Sequence, residues 1–175
     1  MKTIDKYLFQ ALDNYPYSLE ETIESLDYAF SYDAKNTMVL CLYGRIQAEQ
    51  LMNYEEAKPY FQEALSINIH ALEVYPYYLQ TLILNEDYDE AQKLIDFALT
   101  IRGINKSDIY VKKAILFEAQ HEFKKALKEI KNAKLHSLQF AYECNISHVE
   151  KRIEGKMDLL KKKKKSKKDC KKKSK

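Results

Sequence analysis

Alanines recur along this chain at a fixed interval. Ala57, Ala91 and Ala126 lie 34 and 35 residues apart, and Ala64, Ala98 and Ala133 repeat the same two intervals. They mark three alignable segments: Asn53-Tyr-Glu-Glu-Ala-Lys-Pro-Tyr-Phe-Gln-Glu-Ala-Leu, Asp87-Tyr-Asp-Glu-Ala-Gln-Lys-Leu-Ile-Asp-Phe-Ala-Leu and Glu122-Phe-Lys-Lys-Ala-Leu-Lys-Glu-Ile-Lys-Asn-Ala-Lys. Each has an aromatic, an alanine three residues later and a second alanine seven further on. Two helical turns separate those alanines, so they share one helix face. Small residues at that spacing let a neighbouring helix approach closely, while the aromatics and Leu or Ile fill the space beside it. A period of this length means a stack of one repeated supersecondary unit.

Upstream of each segment runs another apolar-periodic stretch: Met38 to Leu51, Leu72 to Leu84, and Ser107 to Ala119. Each is long enough for one amphipathic helix, so the unit reads as helix, short turn, helix. Asn53 with Glu56 and Asp87 with Glu90 have capping-box spacing. In the third copy Lys125 stands in the carboxylate's place, which predicts a weaker cap. A more divergent earlier copy is visible too. Ser18-Leu-Glu-Glu opens its second helix, Ala29 corresponds to Ala64, and Ile4 to Asp13 is the partner helix. Only three Gly and three Pro occur in 175 residues, in keeping with a chain made of helices.

On these residues the chain resembles the tetratricopeptide repeat family over residues 3 to 136. Gly44 and the aromatics Tyr54, Tyr88 and Phe123 fit the family pattern. No Trp opens a first helix; Cys41, Tyr75 and Tyr110 stand there instead, and Ala34, Ile69 and Gly103 replace the usual closing proline. The resemblance implies an all-α, right-handed superhelical stack (an α-solenoid) of about four antiparallel helix pairs. Gln139 to Leu160 would follow as a capping helix, with Ala141, Cys144, His148, Ile153 and Met157 as its less polar positions. The repeat domain is then 1–160.

No catalytic constellation stands out. Gly44, Gly103 and Gly155 form no phosphate loop, and His70, His121, His136 and His148 are scattered without ligand spacing. The sequence therefore predicts no enzyme, no cofactor and no metal site. In this family the first helices line a concave surface that cradles a peptide or helix. Counted by helical turns, that groove would carry Tyr7, Val39, Leu42, Ile46, Glu49, Glu73, Gln80, Ile83, Asp108, Val111, Ile115 and Glu118. Apolar in the middle and acidic at the edge, it suits another protein's apolar segment with basic flanks.

The net charge of +3 conceals a division. Residues 161–175 hold eleven lysines (Lys161, Lys162, Lys163, Lys164, Lys165, Lys167, Lys168, Lys171, Lys172, Lys173 and Lys175) and one Asp, a net +10. The first 160 residues hold 18 basic and 25 acidic side chains, a net −7. The lysine run cannot bury apolar surface and is expected to be disordered. It offers an alternative role, non-specific attachment to nucleic acid or ribosomes by counterion release. No stretch reaches about 18 consecutive apolar residues, so no membrane span is expected. No targeting segment is apparent, and the three scattered cysteines fit a reducing cytoplasm.

Overall fold

The computed structural model describes the backbone of residues 6–137 and 140–173, and their side chains except those of 140–144 and 162–173. Among the described residues the chain is all-helical. The helices are α1 Lys6–Asn14, α2 Leu19–Tyr32, α3 Thr37–Arg45, α4 Tyr54–Ile67, α5 Val74–Leu84, α6 Tyr88–Ala98, α7 Lys106–Ala119, α8 Phe123–His136 and α9 Phe140–Lys173. A π-helical turn, Ile46–Gln50, continues α3. No described helix is long and apolar enough to cross a membrane.

The chain divides into two compact units, residues 1–104 and 105–175. In unit 1 each of α1 to α6 packs on the next, and α3 also touches α1 and α5. The alanines of the repeat make this possible: Ala57, Ala64, Ala91 and Ala98 are completely buried, as is Ala29 in the divergent first copy. One helical turn beyond the first alanine stands a large residue, Phe61 or Ile95, also completely buried. Gly44 is where the approach is closest. A Cβ there would lie 2.8 Å from ring atoms of Phe61, and that ring is stacked on Tyr78 at 5.5 Å between centroids. Burying each such side chain stabilises the fold by about 1.5–3 kcal/mol.

Unit 2 has α7 on α8, with α9 packed against both. Its core holds Ala126, Ile130 and Ala133 from the repeat, together with Val111, Ala114, Phe123, Ile146, Val149 and Ile153. The inward face of α9 is therefore Ile146, Val149, Ile153 and Met157, while His148 is exposed. That corrects the sequence reading for His148. Gln139 and the side chains of Ala141 and Cys144 lie outside the described residues. At the other end of the pair, Ser107 is buried and its Oγ donates to Ala133 O at 2.9 Å, joining the start of α7 to the end of α8.

Two local features differ from expectation. The capping boxes do not close, since Ser18, Asn53 and Asp87 make no side-chain cap bond. Asp87 instead bonds Asn85 at 2.6 Å and Lys58 at 2.9 Å, and Glu90 accepts the Tyr78 hydroxyl at 2.6 Å. The side-chain caps that do form are Asn36 on Met38 N and Asn105 on Asp108 N. The second feature is a hidden backbone repeat. Met52, Glu86 and His121, again 34 and 35 residues apart, all adopt positive φ (54°, 63° and 62°) in the turn between paired helices. Asp87 N donates to Leu82 O and Glu122 N to Phe117 O, the six-to-one bond that ends a helix on a left-handed residue. In the first turn Asn53 N reaches Gln47 O, one residue further back, because the π-helical turn adds a residue.

Candidate functional site

The twelve groove positions separate by exposure. Val39, Leu42, Ile46, Ile83 and Val111 are all buried, at 5% exposure or less. The first three belong to the unit 1 core with Leu8, Leu26 and Ala29, and Val111 belongs to the core of unit 2. The expected apolar floor is thus packing, not open surface. A first helix here touches neighbours on more than one side, so its apolar residues are used within the unit. Glu118, expected at the groove's edge, is 4% exposed. It accepts from Arg152 Nε at 3.0 Å and Nη2 at 2.7 Å, and Lys156 Nζ lies 2.7 Å away, so it fastens α9 to α7. Asp108, Ile115 and Gln80 are half-buried; Tyr7, Glu49 and Glu73 are exposed. Tyr7 stacks on Tyr28 of α2 at 5.2 Å and lines a hollow of about 170 Å³ with Glu21 and Glu24.

In unit 1 the structure gathers a polar cluster that the sequence reading only touched. Arg45, at the end of α3, lies 4.1 Å over the Tyr77 ring and 4.6 Å over the Tyr15 ring. Its Nε and Nη2 are both 3.3 Å from the carboxylate of Glu49, one helical turn on. Tyr15 donates its hydroxyl to the same carboxylate at 2.5 Å. Burial, then that bond, pushes the Tyr15 phenol up to about 12. Burial pushes the Cys41 thiol up to about 12 as well, so it stays protonated and unreactive at neutral pH. The charges of Arg45, Glu73 and Glu49 modify that shift only in second place, after burial. The cluster is therefore a cation held between two rings and one carboxylate. The sequence reading placed Glu49 and Glu73 in the groove but passed over Arg45, Tyr15 and the cation contact of Tyr77. Arg45 four residues before Glu49 was the available signal.

Unit 2 has a different opening. A hollow of about 420 Å³ lies where the α7–α8 turn meets α9, with Phe123, Met157 and Leu160 among its lining and Lys124, Lys125 and Lys161 at its rim. Phe123 was legible as the repeat's aromatic. Leu159-Leu160 before the lysine run was the unused signal for the rest. The tail beyond has helical backbone as far as Lys173. The expectation of a disordered tail concerns residues whose side chains, from Lys162 on, lie outside the described residues. Among the described residues no group of His, Cys, Asp and Glu is arranged to hold a metal ion.

No protein-family model matches the chain, and no curated protein matches it either.

Proposed function

We propose that the chain is a non-catalytic scaffold of the tetratricopeptide kind, with its helix pairs in a superhelical stack, holding a basic segment of another protein in the cytoplasm. The observation that carries this reading is the exposed acidic charge of unit 1. Glu49, bonded to Arg45 and Tyr15, and Glu73, at the start of α5, are both exposed. Residues 1–104 hold 17 acidic against 7 basic side chains, a net −10. With the apolar floor buried and the Tyr15 and Tyr77 rings already covered by Arg45, the exposed chemistry is carboxylate, with Glu73 at the start of α5. Carboxylates at the surface of a net acidic unit favour Lys or Arg by charge.

The test is a titration of the full chain with a synthetic helical peptide whose apolar face is flanked by lysines. Reversing one exposed charge with Glu73→Lys is expected to weaken capture about tenfold and to flatten its salt dependence. Unchanged affinity in Glu73→Lys would remove unit 1 as the capturing face.

A second reading rests on the eleven lysines of residues 161–175, which favour a sequence-independent polyanion such as RNA. It requires that RNA binding fall steeply with salt and disappear when the chain ends at Leu160. Binding that survives truncation would exclude the tail as its cause.

A further inference from the structure

Unit 2 presents an opening of opposite character to the acidic face of unit 1, and nothing in the proposal above uses it. We infer that the hollow at the α7–α8 turn is a docking site for an acidic peptide segment carrying a large apolar side chain. Three observations lead there.

The first is shape and composition. The hollow, about 420 Å³, is lined by Phe123, Met157 and Leu160. Phe123 and Met157 are anchored in the core of unit 2, so this part of the lining is rigid. Leu160 is 42% exposed, leaving apolar surface open to an occupant. An aliphatic or aromatic side chain can enter and remove that surface from water.

The second is charge at the rim. Lys124, Lys125 and Lys161 face a single carboxylate, Glu122, which lies 2.5 Å from Lys125 Nζ. Lys161 also meets Asp158 at 2.9 Å, with both side chains about 60% exposed, a pairing that water and salt weaken. The rim is thus net cationic and repels a basic segment.

The third is position. Lys161 is both part of this rim and the first residue of the lysine run. Residues 105–175 together hold 22 basic and 9 acidic side chains, a net +13. An acidic partner is drawn to this unit from a distance, and the hollow then selects those that bring an apolar side chain. A purely polar polyanion leaves the hollow empty. A bilayer surface is too flat to fill it.

The experiment uses the full chain and two fluorescent twelve-residue peptides of equal negative charge, rich in Asp and Glu. One carries a central Leu-Leu pair and the other Ser-Ser. The Leu peptide is expected to bind at least about tenfold more tightly at physiological salt, since an anchor in a pocket dominates such contacts. Leu160→Glu is expected to lose that advantage and, its position being exposed, to leave the far-UV circular dichroism spectrum unchanged. Lys124→Glu, an independent exposed change, is expected to weaken both peptides. Equal binding of the two peptides would reduce the interaction to charge alone and overturn the proposal. So would a Leu peptide indifferent to Leu160→Glu. Phosphatidylserine vesicles and polyuridylate serve as rivals: binding of either that is lost in Leu160→Glu, with peptide binding unmoved, would assign the hollow to that ligand instead. Each of these outcomes leaves the unit 1 test above undisturbed, because Glu73 plays no part in them.

Discussion

The two units use ion pairs in mirror image. In unit 1 a single cation, Lys58, serves two carboxylates, Glu55 at 2.8 Å and Asp87 at 2.9 Å, with the Lys58 side chain 16% and the Glu55 side chain 69% exposed. In unit 2 a single carboxylate, Glu118, serves two cations, Arg152 and Lys156, each at 2.7 Å, and is itself 4% exposed. The shared charge has the minority sign in both cases: a lysine in the acidic unit, a glutamate in the basic one. What differs is depth. A surface pair in water contributes little, whereas a buried carboxylate without its partners is costly. Unit 1, whose Arg45–Glu49 pair is partly exposed, therefore rests chiefly on apolar packing, and unit 2 depends in addition on a buried ionic link between α7 and α9.

The largest expected effect breaks the packing side of that comparison. Phe61→Ala removes a completely buried ring that lies against Gly44 and Tyr78. It is expected to cost about 3–5 kcal/mol, read as lost hydrogen-exchange protection in α3 and α4. Gly44→Ala attacks the same contact from the other side and is expected to cost about 1–3 kcal/mol by overpacking. Protection in α3 and α4 unchanged by either substitution would mean that the Gly44–Phe61 contact does not hold unit 1 together.

The ionic side comes next. Glu118→Gln is expected to cost about 2 kcal/mol, read as lost protection in α9, because charge-assisted bonds to Arg152 and Lys156 are replaced by weaker ones. The same link predicts a pH response. Burial pushes the Glu118 carboxyl up, and the bonds from Arg152 and Lys156 outweigh that, leaving it below the ordinary glutamate value of about 4.5. A depressed carboxyl stabilises the fold fully above that value, and the contribution is lost as pH falls through the folded-state value. Acidification below about pH 4.5 is thus expected to loosen α9 in the native chain and to do so less in Glu118→Gln. Equal acid sensitivity of the two would show that Glu118 is not the group responsible.

The smallest effect sharpens the contrast. Lys58→Ala is expected to cost less than about 1 kcal/mol in thermal unfolding, since Asp87 keeps Asn85 and Glu55 faces water. A cost equal to that of Glu118→Gln would erase the distinction between the units.

Much of the fold was legible because the repeat is written in residues that can do only one thing at a helix contact. The six alanines at intervals of 34 and 35 are all completely buried, and the paired first helices fall within a few residues of where apolar periodicity put them. The inter-helix turns were not legible. Met52, Glu86 and His121 hold a left-handed backbone that usually calls for Gly or Asn, so their side chains give no sign of it. The groove was misread for a related reason. Helical periodicity finds the apolar side of a first helix but not whether a second neighbour covers it, and Val39, Leu42 and Ile46 are covered. Glu49 and Glu73 are exposed, as acidic side chains are unless both paired and buried. Glu118 escaped the same rule because its partners lie 34 and 38 residues further on, in a helix that no local pattern connects to it.

The central claim is that the two units offer opposite docking chemistry. Its most direct test is hydrogen exchange across the full chain, titrated first with the lysine-flanked peptide and then with the acidic Leu-Leu peptide. The account predicts that the first protects amides in α3, its π-helical turn and α5 around Glu49 and Glu73, and that the second protects the start of α8 and α9 near Leu160. Protection of one common surface by both peptides, or of neither unit by either, would contradict it.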